Sequence, residues 1–243
     1  MIKILLINLN GSMPAHLEMK SKAMNEGYDV CVISEPNVKA SKDDTKRDQG
    51  WIADEDHKAV IWWTGSNRGF QVERMGTERG LAWLTLTGNV LLTSSYCSPS
   101  DTIEEFRDQL DKLQEVLLEH DERTQVIAGD FNSWSTTWGS NETRQRGREV
   151  EEWLANNDLL LMNDGREPTF RRGRQRAHID LTIANSRARV VDWRVLKYLE
   201  SHSDHLYIEY SLEMEGTPAT PKEVKNRWIW KKFDMELFHK TLE

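Results

Sequence analysis

The chain has few cysteines. Of its 243 residues only two are cysteine, and both, Cys31 and Cys97, fall inside strand-like apolar runs. This usage predicts buried free thiols in a reducing compartment rather than a disulfide framework. The sequence also lacks the Cys and His spacing of a zinc site, which argues against zinc as a cofactor.

A long hydrophobic run is missing as well. The mean hydropathy is −0.68, and no stretch approaches the ~18 consecutive apolar residues of a membrane span. Residues 1–8 are too short, and too interrupted by polar residues, for a signal peptide, so we interpret them as a buried strand. We therefore expect no membrane partner. A chain of 243 residues is long enough for one large domain or two small ones.

The chain has no surplus of positive charge, since 32 Lys and Arg face 40 Asp and Glu, for a net charge of −8. Taken alone, this balance argues against a nucleic-acid binder. The charge is uneven, however: residues 101–122 hold nine acids against two bases, whereas 144–148 and 166–176 together hold eight arginines. A local basic face can bind phosphate while the rest of the surface stays acidic.

Apolar runs of strand length recur along the chain and are separated by turn residues or helical patterns. The strands are predicted at 2–8, 29–34, 59–64, 81–87, 90–96, 125–129, 159–162, 179–184, 190–196 and 206–212. The helices are predicted at 15–26, after a capping-box-like pair at Asp101 and Glu104, and at about 147–157. Leu17, Ala23 and Met24 are expected on the buried side of the first helix. Many strands with a few helices predict an α/β sandwich.

The composition shifts at about residue 214, where Pro, Gly and Thr within 215–221 predict a linker. We therefore expect a domain over 1–214, followed by a segment, 215–243, that is too short for a core of its own. Because the sequence stops inside a helical pattern, we expect it to be a piece of a longer polyprotein-like chain.

Polar side chains recur where the predicted strands begin or end. They are Asn8 and Asn10, Glu35, Tyr96, Asp130 and Asn132, Asp180, and Asp204 with His205. Each signal alone is weak, because a strand-end Asp usually caps a turn and a lone His usually has a structural role. Asp180 is flanked by apolar residues, and a histidine is a natural partner for such an acid. Carboxylate and amide oxygens suit Mg²⁺ or Mn²⁺, so a metal-dependent phosphoesterase is the hypothesis.

Taken together and in order, these residues resemble the exonuclease–endonuclease–phosphatase family, which includes DNase I, apurinic/apyrimidinic endonucleases and inositol polyphosphate phosphatases. The resemblance spans residues 1 to about 214 and implies a four-layered α/β sandwich, in which two packed, mostly antiparallel sheets are flanked by helices. The matching motifs are Asn8-x-Asn10, Ser34-Glu35-Pro36, Tyr96, Gly129-Asp130-Phe131-Asn132, Asp180 and Ser203-Asp204-His205.

A narrower resemblance lies just beyond the Asp130 motif. Trp138-Gly139-Ser140, Arg146-Gly147 and Pro168-Thr169-Phe170 are similar to the endonuclease domain of insect-type non-LTR retrotransposons. The segment from Arg227 resembles the stretch that leads to a reverse transcriptase. The resemblance implies an endonuclease that nicks double-stranded DNA to leave a 3′-hydroxyl and a 5′-phosphate, which primes reverse transcription. It also implies a nuclear location, a covalently linked reverse transcriptase and, indirectly, the element RNA as partners.

The resemblance also implies roles for individual residues. Glu35 would be the main Mg²⁺ ligand (Mn²⁺ being the alternative), with Asn8, Asn10 and Asp204 nearby. Asp130, held by Asn132, would orient and deprotonate the attacking water. His205, oriented by Asp180, would contact the scissile phosphate. Tyr96, Thr169 and Ser203 would support the phosphate and the surrounding hydrogen bonds.

Arginines around these residues are candidates for DNA binding. Those at 171, 172, 174 and 176 flank Gly173 in a predicted hairpin, and an arginine-bearing hairpin tip suits the minor groove or phosphates. With two arginines from the 144–148 stretch, the candidate DNA-binding arginines are Arg171, Arg172, Arg174, Arg176, Arg144 and Arg146. A solvated loop is the alternative for the hairpin. Trp134 and Trp138 line the cleft or pack in the core.

Several alternatives stay open at this point. The same fold would serve an abasic-site repair endonuclease, an inositol or lipid phosphatase, or a non-catalytic DNA-binding module. The pattern does not distinguish one metal ion from two, and either Asp130 or His205 can be drawn as the general base. The target DNA sequence and the oligomeric state are not encoded in any motif we recognise.

Overall fold

The computed structural model describes residues 1–47, 50–65, 69–199 and 201–214. Within them the strands are β1 Ile2–Asn8, β2 Val30–Ser34, β3 Trp51–Ala53, β4 Ala59–Trp63, β5 Val72–Glu78, β6 Leu81–Leu86, β7 Val90–Tyr96, β8 Thr124–Asp130, β9 Leu160–Leu161, β10 Phe170–Arg172, β11 Gln175–Ala177, β12 Asp180–Ala184, β13 Arg189–Val195 and β14 Ile208–Glu213. The helices are α1 Met13–Asn25, α2 Val38–Arg47, α3 Ile103–Leu118 and α4 Gln145–Asn156, with a short 3-10 turn at Thr136–Trp138. The predicted linker and tail at 215–243 lie outside the described residues. No described helix is long and apolar enough to cross a membrane.

The described strands form two six-stranded mixed sheets and one separate hairpin. The first sheet has the order β13-β14-β1-β2-β4-β3, and the second has the order β5-β6-β7-β8-β12-β9. In each sheet one pair at the centre is parallel, β1 with β2 and β7 with β8. The β10–β11 hairpin stands apart from both sheets.

Three apolar clusters define the layers. One lies between the sheets and contains Ile4 and Val32 of the first sheet with Leu84 and Val126 of the second. Another packs α1 on the first sheet, and a third packs α3 and α4 on the second. The resulting order of helix, sheet, sheet and helix confirms the predicted four-layered sandwich. Because the central strands are covered on both faces, they read as continuous apolar runs rather than as alternating ones.

Two details of the helix predictions are wrong. Leu17 and Met24 are exposed, and α1 instead buries Ala15, His16, Met19 and Ala23. The α3 capping box is formed one residue later than expected, by Thr102 and Glu105, because the Asp101 carboxylate accepts the backbone N–H of Ser98. The α4 prediction is confirmed, with Val150, Trp153 and Leu154 buried.

Three elements are absent from the sequence predictions: α2, β3 and β5. The described side chains of α2 include one buried residue, Ser41, so the helix has no apolar stripe to detect. The β5 strand is an edge strand whose residues are mostly exposed and include Gly76. Tertiary pairing rather than local pattern places these segments.

Candidate active site

The predicted site residues meet at one edge of the sandwich. Asn8 ends β1 and Glu35 directly follows β2, so the first parallel pair delivers both side chains to the same edge. In the second sheet Tyr96 ends β7 beside Asp130 at the end of β8, and Asp130 pairs in turn with Asp180 at the start of β12. The two parallel pairs thus bring chemistry from distant parts of the sequence into one cluster.

Asn8 joins the two sheets. Its Nδ2 donates to Asp130 Oδ2 at 2.9 Å and lies 3.2 Å from Glu35 Oε2. Its Oδ1 accepts the backbone N–H of Asn10 at 2.8 Å, which fixes the orientation of the amide. Asn8 is fully buried, and its hydrogen bond to Asp130 is made away from bulk water. The amide therefore holds the two carboxylates at a set distance.

Asp130 is 1% exposed and lies in a net of donors. Its Oδ1 accepts the backbone N–H of Asn132 at 2.9 Å, and its Oδ2 accepts Asn132 Nδ2 at 3.2 Å. The chain bends sharply here, since Asn132 has a φ of +44°. Gly129 is required before it, because a Cβ on Gly129 would lie 1.8 Å from the carbonyl oxygen of Ser95. The Gly-Asp-Phe-Asn motif is thus explained by close strand packing followed by a turn.

His205 and Asp180 form a buried pair. His205 Nδ1 lies 2.8 Å from Asp180 Oδ2 and 3.1 Å from Oδ1. Thr169 Oγ1 accepts the backbone N–H groups of Ile179 and Asp180, each at 3.1 Å, and so fixes the start of β12. The ring of Phe170 meets the imidazole edge-on at 5.0 Å. Since Nδ1 is used by Asp180, Nε2 is the ring atom that faces the cluster, 3.9 Å from Asp130 Oδ2.

The pKa values of these groups follow from burial and neighbouring charge. Burial and the nearby Asp180 charge raise the pKa of Asp130 above its usual range. Burial opposes protonation of His205, but the charge and hydrogen bond of Asp180 outweigh it and raise the pKa of His205 to about 9. At neutral pH the imidazole is therefore cationic, and the proton affinity of Asp130 is well above that of an ordinary carboxylate.

Glu35 lies on the other side of Asn8, in a left-handed conformation with a φ of +44°. Its Oε1 accepts Lys58 Nζ at 2.9 Å, and the Tyr96 hydroxyl also bonds to its carboxylate. Burial acts to raise the pKa of Glu35, but these donors and the Lys58 charge hold it below its usual range. Lys58 is absent from the sequence predictions, since a lysine before a strand is ordinary. Burial and the neighbouring Glu35 charge raise the pKa of Tyr96, which keeps its hydroxyl a donor.

Three further predicted residues come from the ends of β1 and the loop before β14. Ser203 Oγ donates to the carbonyl oxygen of Asn8 at 2.7 Å and ties that loop to β1. Asp204 is half-buried, and its Oδ1 lies 3.9 Å from His205 Nε2. That oxygen is buried without a hydrogen-bond partner among the described residues. Asn10 contributes its backbone N–H to Asn8, while its own side chain is exposed.

The donors fit a hard divalent cation. Glu35 and Asp204 supply carboxylate oxygens, and the partnerless buried Oδ1 of Asp204 is an acceptor that a cation would satisfy. Asp130, Asp180 and His205 also place one ligand atom each within 4.8 Å of one another. We interpret that trio as a proton-transfer network, because Nδ1 is committed to Asp180 and imidazole is a poor ligand for Mg²⁺. This interpretation leaves Glu35 and Asp204 as the other two carboxylates of the site.

The arginine hairpin forms as predicted. Arg171 pairs with Arg176 across β10 and β11, and Gly173 takes a φ of +57° in the turn. Arg172 and Arg174 are exposed at the tip. The backbone N–H of Arg171 donates to the carbonyl oxygen of Asp204 at 2.7 Å, so the hairpin is anchored directly beside the site.

The other two candidate DNA-binding arginines, Arg144 and Arg146, lie in different environments. Arg144 is exposed, and its guanidinium stacks 4.1 Å from the ring centroid of Trp134. Arg146 is largely committed to internal contacts, because it donates to the carbonyl oxygens of Ser98, at 2.8 Å, and of Asp101. Trp138 is fully buried in the cluster with α3 and α4, which decides its role in favour of the core.

The sequence is similar to those of known endonuclease and reverse-transcriptase proteins. Residues 90–209 match the sequence model of the family described as endonuclease-reverse transcriptase. A probable RNA-directed DNA polymerase from transposon X-element of Drosophila melanogaster is 26% identical over 164 residues, which are 65% of this chain and 17% of that protein. The chain thus spans only a small part of that relative's length.

Solved structures share the fold. The endonuclease domain of TRAS1, a telomere-specific non-LTR retrotransposon, is 24% identical with a TM-score of 0.74, over 88% of this chain and 98% of that one. An AP endonuclease from Archaeoglobus fulgidus is 15% identical with a TM-score of 0.63, over 88% of this chain and all of the other. Over residues 90–209 the chain is therefore similar in sequence to the endonuclease-reverse transcriptase family, and it shares the α/β-sandwich fold of these endonucleases.

Proposed function

We propose that this domain is a Mg²⁺-dependent endonuclease that nicks double-stranded DNA and leaves 3′-hydroxyl and 5′-phosphate ends. The observation that carries the proposal is the position of Asn8, whose amide bonds to Asp130 and Glu35 at once. On the proposed roles, that contact links Glu35, which would ligate the metal, to Asp130, which would accept the proton. The cationic His205 is the third group of the proposed site, with its Nε2 3.9 Å from Asp130 Oδ2.

We assign the general base to Asp130 and the phosphate contact to His205. The raised pKa of Asp130 gives it the proton affinity to accept a proton from the attacking water. Asn132 and Asn8 hold the carboxylate in one orientation while it does so. His205, kept protonated by Asp180, presents Nε2 as a charged donor to a non-bridging phosphate oxygen. A bound Mg²⁺ supplies further charge stabilisation on the phosphate oxygens.

The exposed arginines support a duplex as the substrate. Arg172 and Arg174 extend from a hairpin anchored at Asp204, and the exposed Arg144 stacks on Trp134 while pairing with Glu142 at 2.7 Å. These cations would contact the DNA backbone on either side of the scissile bond. The carboxylate site would also accept Mn²⁺ as the alternative ion, since its donors are hard oxygen atoms.

We further propose that the nick primes reverse transcription. In that setting the domain acts in the nucleus, within a longer protein whose reverse transcriptase extends the free 3′-hydroxyl on the element RNA. The family described as endonuclease-reverse transcriptase and the transposon polymerase relative support this context.

Nicking of supercoiled plasmid with Mg²⁺ tests the activity, with ligation and primer extension to identify the ends. We expect Glu35→Gln and His205→Gln to lose most of the activity, with folding checked by circular dichroism. His202→Gln is the matched control, because that histidine lies three residues away, is exposed and bonds to Glu18. Unchanged nicking in both site variants would refute the mechanism. A strong preference for abasic over intact duplex would replace the priming role with DNA repair.

A further inference from the structure

Lys58 is a charged residue that contacts a proposed metal ligand but has no role in the reaction described above. Its Nζ lies 2.9 Å from Glu35 Oε1, and it also lies 5.6 Å from the centroid of the Tyr96 ring. The Lys58 side chain is 39% exposed, whereas that of Glu35 is 22% exposed. The contact therefore lies at the open mouth of the site rather than in its buried interior.

The backbone of Lys58 is built into the fold. Asp54 is 1% exposed, and its Oδ1 accepts the N–H groups of Lys58 at 2.6 Å and of Ala59 at 2.8 Å. The carbonyl oxygen of Lys58 accepts the N–H of Glu35 at 2.9 Å. The other oxygen of Asp54 accepts the N–H of Gly80 from the second sheet at 3.0 Å. The turn before β4 is thus fixed from three directions, which aims the lysine at Glu35.

The charge balance of the cluster makes this contact important. Four carboxylates lie together in the site: Glu35, Asp130, Asp180 and Asp204. His205 is bonded to Asp180 and lies near Asp130 and Asp204, so it neutralises that side. Lys58 pairs with the Oε1 of Glu35, while the Asn8 amide donates to Oε2. An ammonium within 3 Å of a metal ligand opposes the binding of a second cation through direct repulsion.

We propose that Lys58 is a positioning residue that occupies the place of the divalent ion on Glu35 and yields it when the ion binds. This inference rests on the proposed function, because it takes Glu35 as a ligand of the ion. The ammonium has room to move, since Lys58 and Glu35 line one open cavity of about 500 Å³. A lysine stem is flexible enough to reach another position within that cavity. The site thereby keeps Glu35 charged and oriented without an ion, at the cost of weaker ion binding.

Titration of Mn²⁺ without DNA, followed by electron paramagnetic resonance of the free ion, tests the inference. Lys58→Met keeps the length of the side chain and removes the charge, and we expect it to bind Mn²⁺ roughly two- to fivefold more tightly. Lys58→Arg should restore affinity close to that of the wild type. Lys112→Met is the matched control, because Lys112 lines the same cavity but pairs with Asp108 at 2.6 Å. Circular dichroism verifies that each variant is folded.

Two results would overturn the inference, and they differ from each other. If Glu35→Gln loses Mn²⁺ binding but Lys58→Met binds the ion no more tightly than the wild type, the role of Lys58 is wrong while the metal site stands. If Glu35→Gln binds Mn²⁺ as well as the wild type, the ion is not held by Glu35. That second result would remove the metal assignment in the proposed function and the role of Lys58 with it.

Discussion

Asp130 and His205 lie in one buried cluster, yet the proposed reaction needs Asp130 to accept a proton and His205 to carry one. Burial and the charge of Asp180 raise the pKa of Asp130, and the same charge helps raise the pKa of His205 to about 9. The base must be deprotonated and the imidazole protonated for the proposed reaction. Nicking should therefore increase as the pH rises through the pKa of Asp130, and decrease above about 9 as His205 loses its proton.

Asp180→Asn tests this division of labour. The substitution removes the charge that favours protonation of both groups, so both limbs of the pH–rate profile should move to lower pH. For the alkaline limb the expected displacement is roughly 1 to 3 pH units. The profile should be measured as single-turnover nicking at saturating Mg²⁺, with His202→Gln as the control. A slower variant with unmoved limbs would mean that Asp180 acts only on structure.

Single residues also mark the limit of what the sequence can predict. Asp130, Asp180 and His205 could be predicted because each adjoins an apolar run, and a polar group there needs a reason. Lys58 and Asp54 could not, because a turn of Asp, Glu, His and Lys between two strands is typical of any solvated loop. The contact between Lys58 and Glu35 depends on strand pairing between β2 and β4, which no local pattern reports.

At the scale of elements, the β10–β11 hairpin is the clearest candidate for DNA contact. We expect the double variant Arg172→Ala/Arg174→Ala to bind duplex DNA more weakly, because two exposed cations are lost from its tip. If each contacts one phosphate, the slope of log K against log salt should fall by up to about 2. Filter binding in Ca²⁺ at several salt concentrations measures the slope.

The hairpin variant needs a control that also loses positive charge. Arg107→Ala serves, since Arg107 lies on α3 and pairs with Glu149 at 2.6 Å. We expect its salt slope to match the wild type. Equal slopes for the control and the hairpin variant would place the DNA elsewhere on the surface.

Elements differ in how far their sequence determines them. The central strands and α4 were predictable, because burial on one or both faces leaves an apolar pattern. The α2 helix and the β5 strand were not, since one buries little beyond Ser41 and the other is an exposed edge. The buried face of α1 is not predictable from its apolar residues, because it includes His16, which bonds to Asp44 and stacks on Trp51. A polar residue on the buried face interrupts the apolar periodicity from which that face would be predicted.

At the scale of the whole molecule, the site exists only because the two sheets pack against each other. Asn8 and Glu35 come with the first sheet, whereas Tyr96, Asp130 and Asp180 come with the second. The packing gathers several carboxylates with limited cationic compensation, and such an arrangement is costly for stability. Part of the free energy of folding is therefore tied to the protonation of His205, which offsets the charges of Asp130 and Asp180.

This coupling predicts how stability depends on pH without divalent ions. The folded-state pKa of His205 is raised from 6.5 to about 9, so its contribution is fully present below pH 6.5 and is lost as the pH rises through about 9. Urea unfolding in EDTA should show the unfolding free energy falling by on the order of 3 kcal/mol between pH 6 and pH 10. The decline should be much smaller in His205→Gln, whereas His202→Gln should follow the wild type. An undiminished decline in His205→Gln would show that other groups control alkaline stability and that the buried imidazole is not the cation that compensates the site.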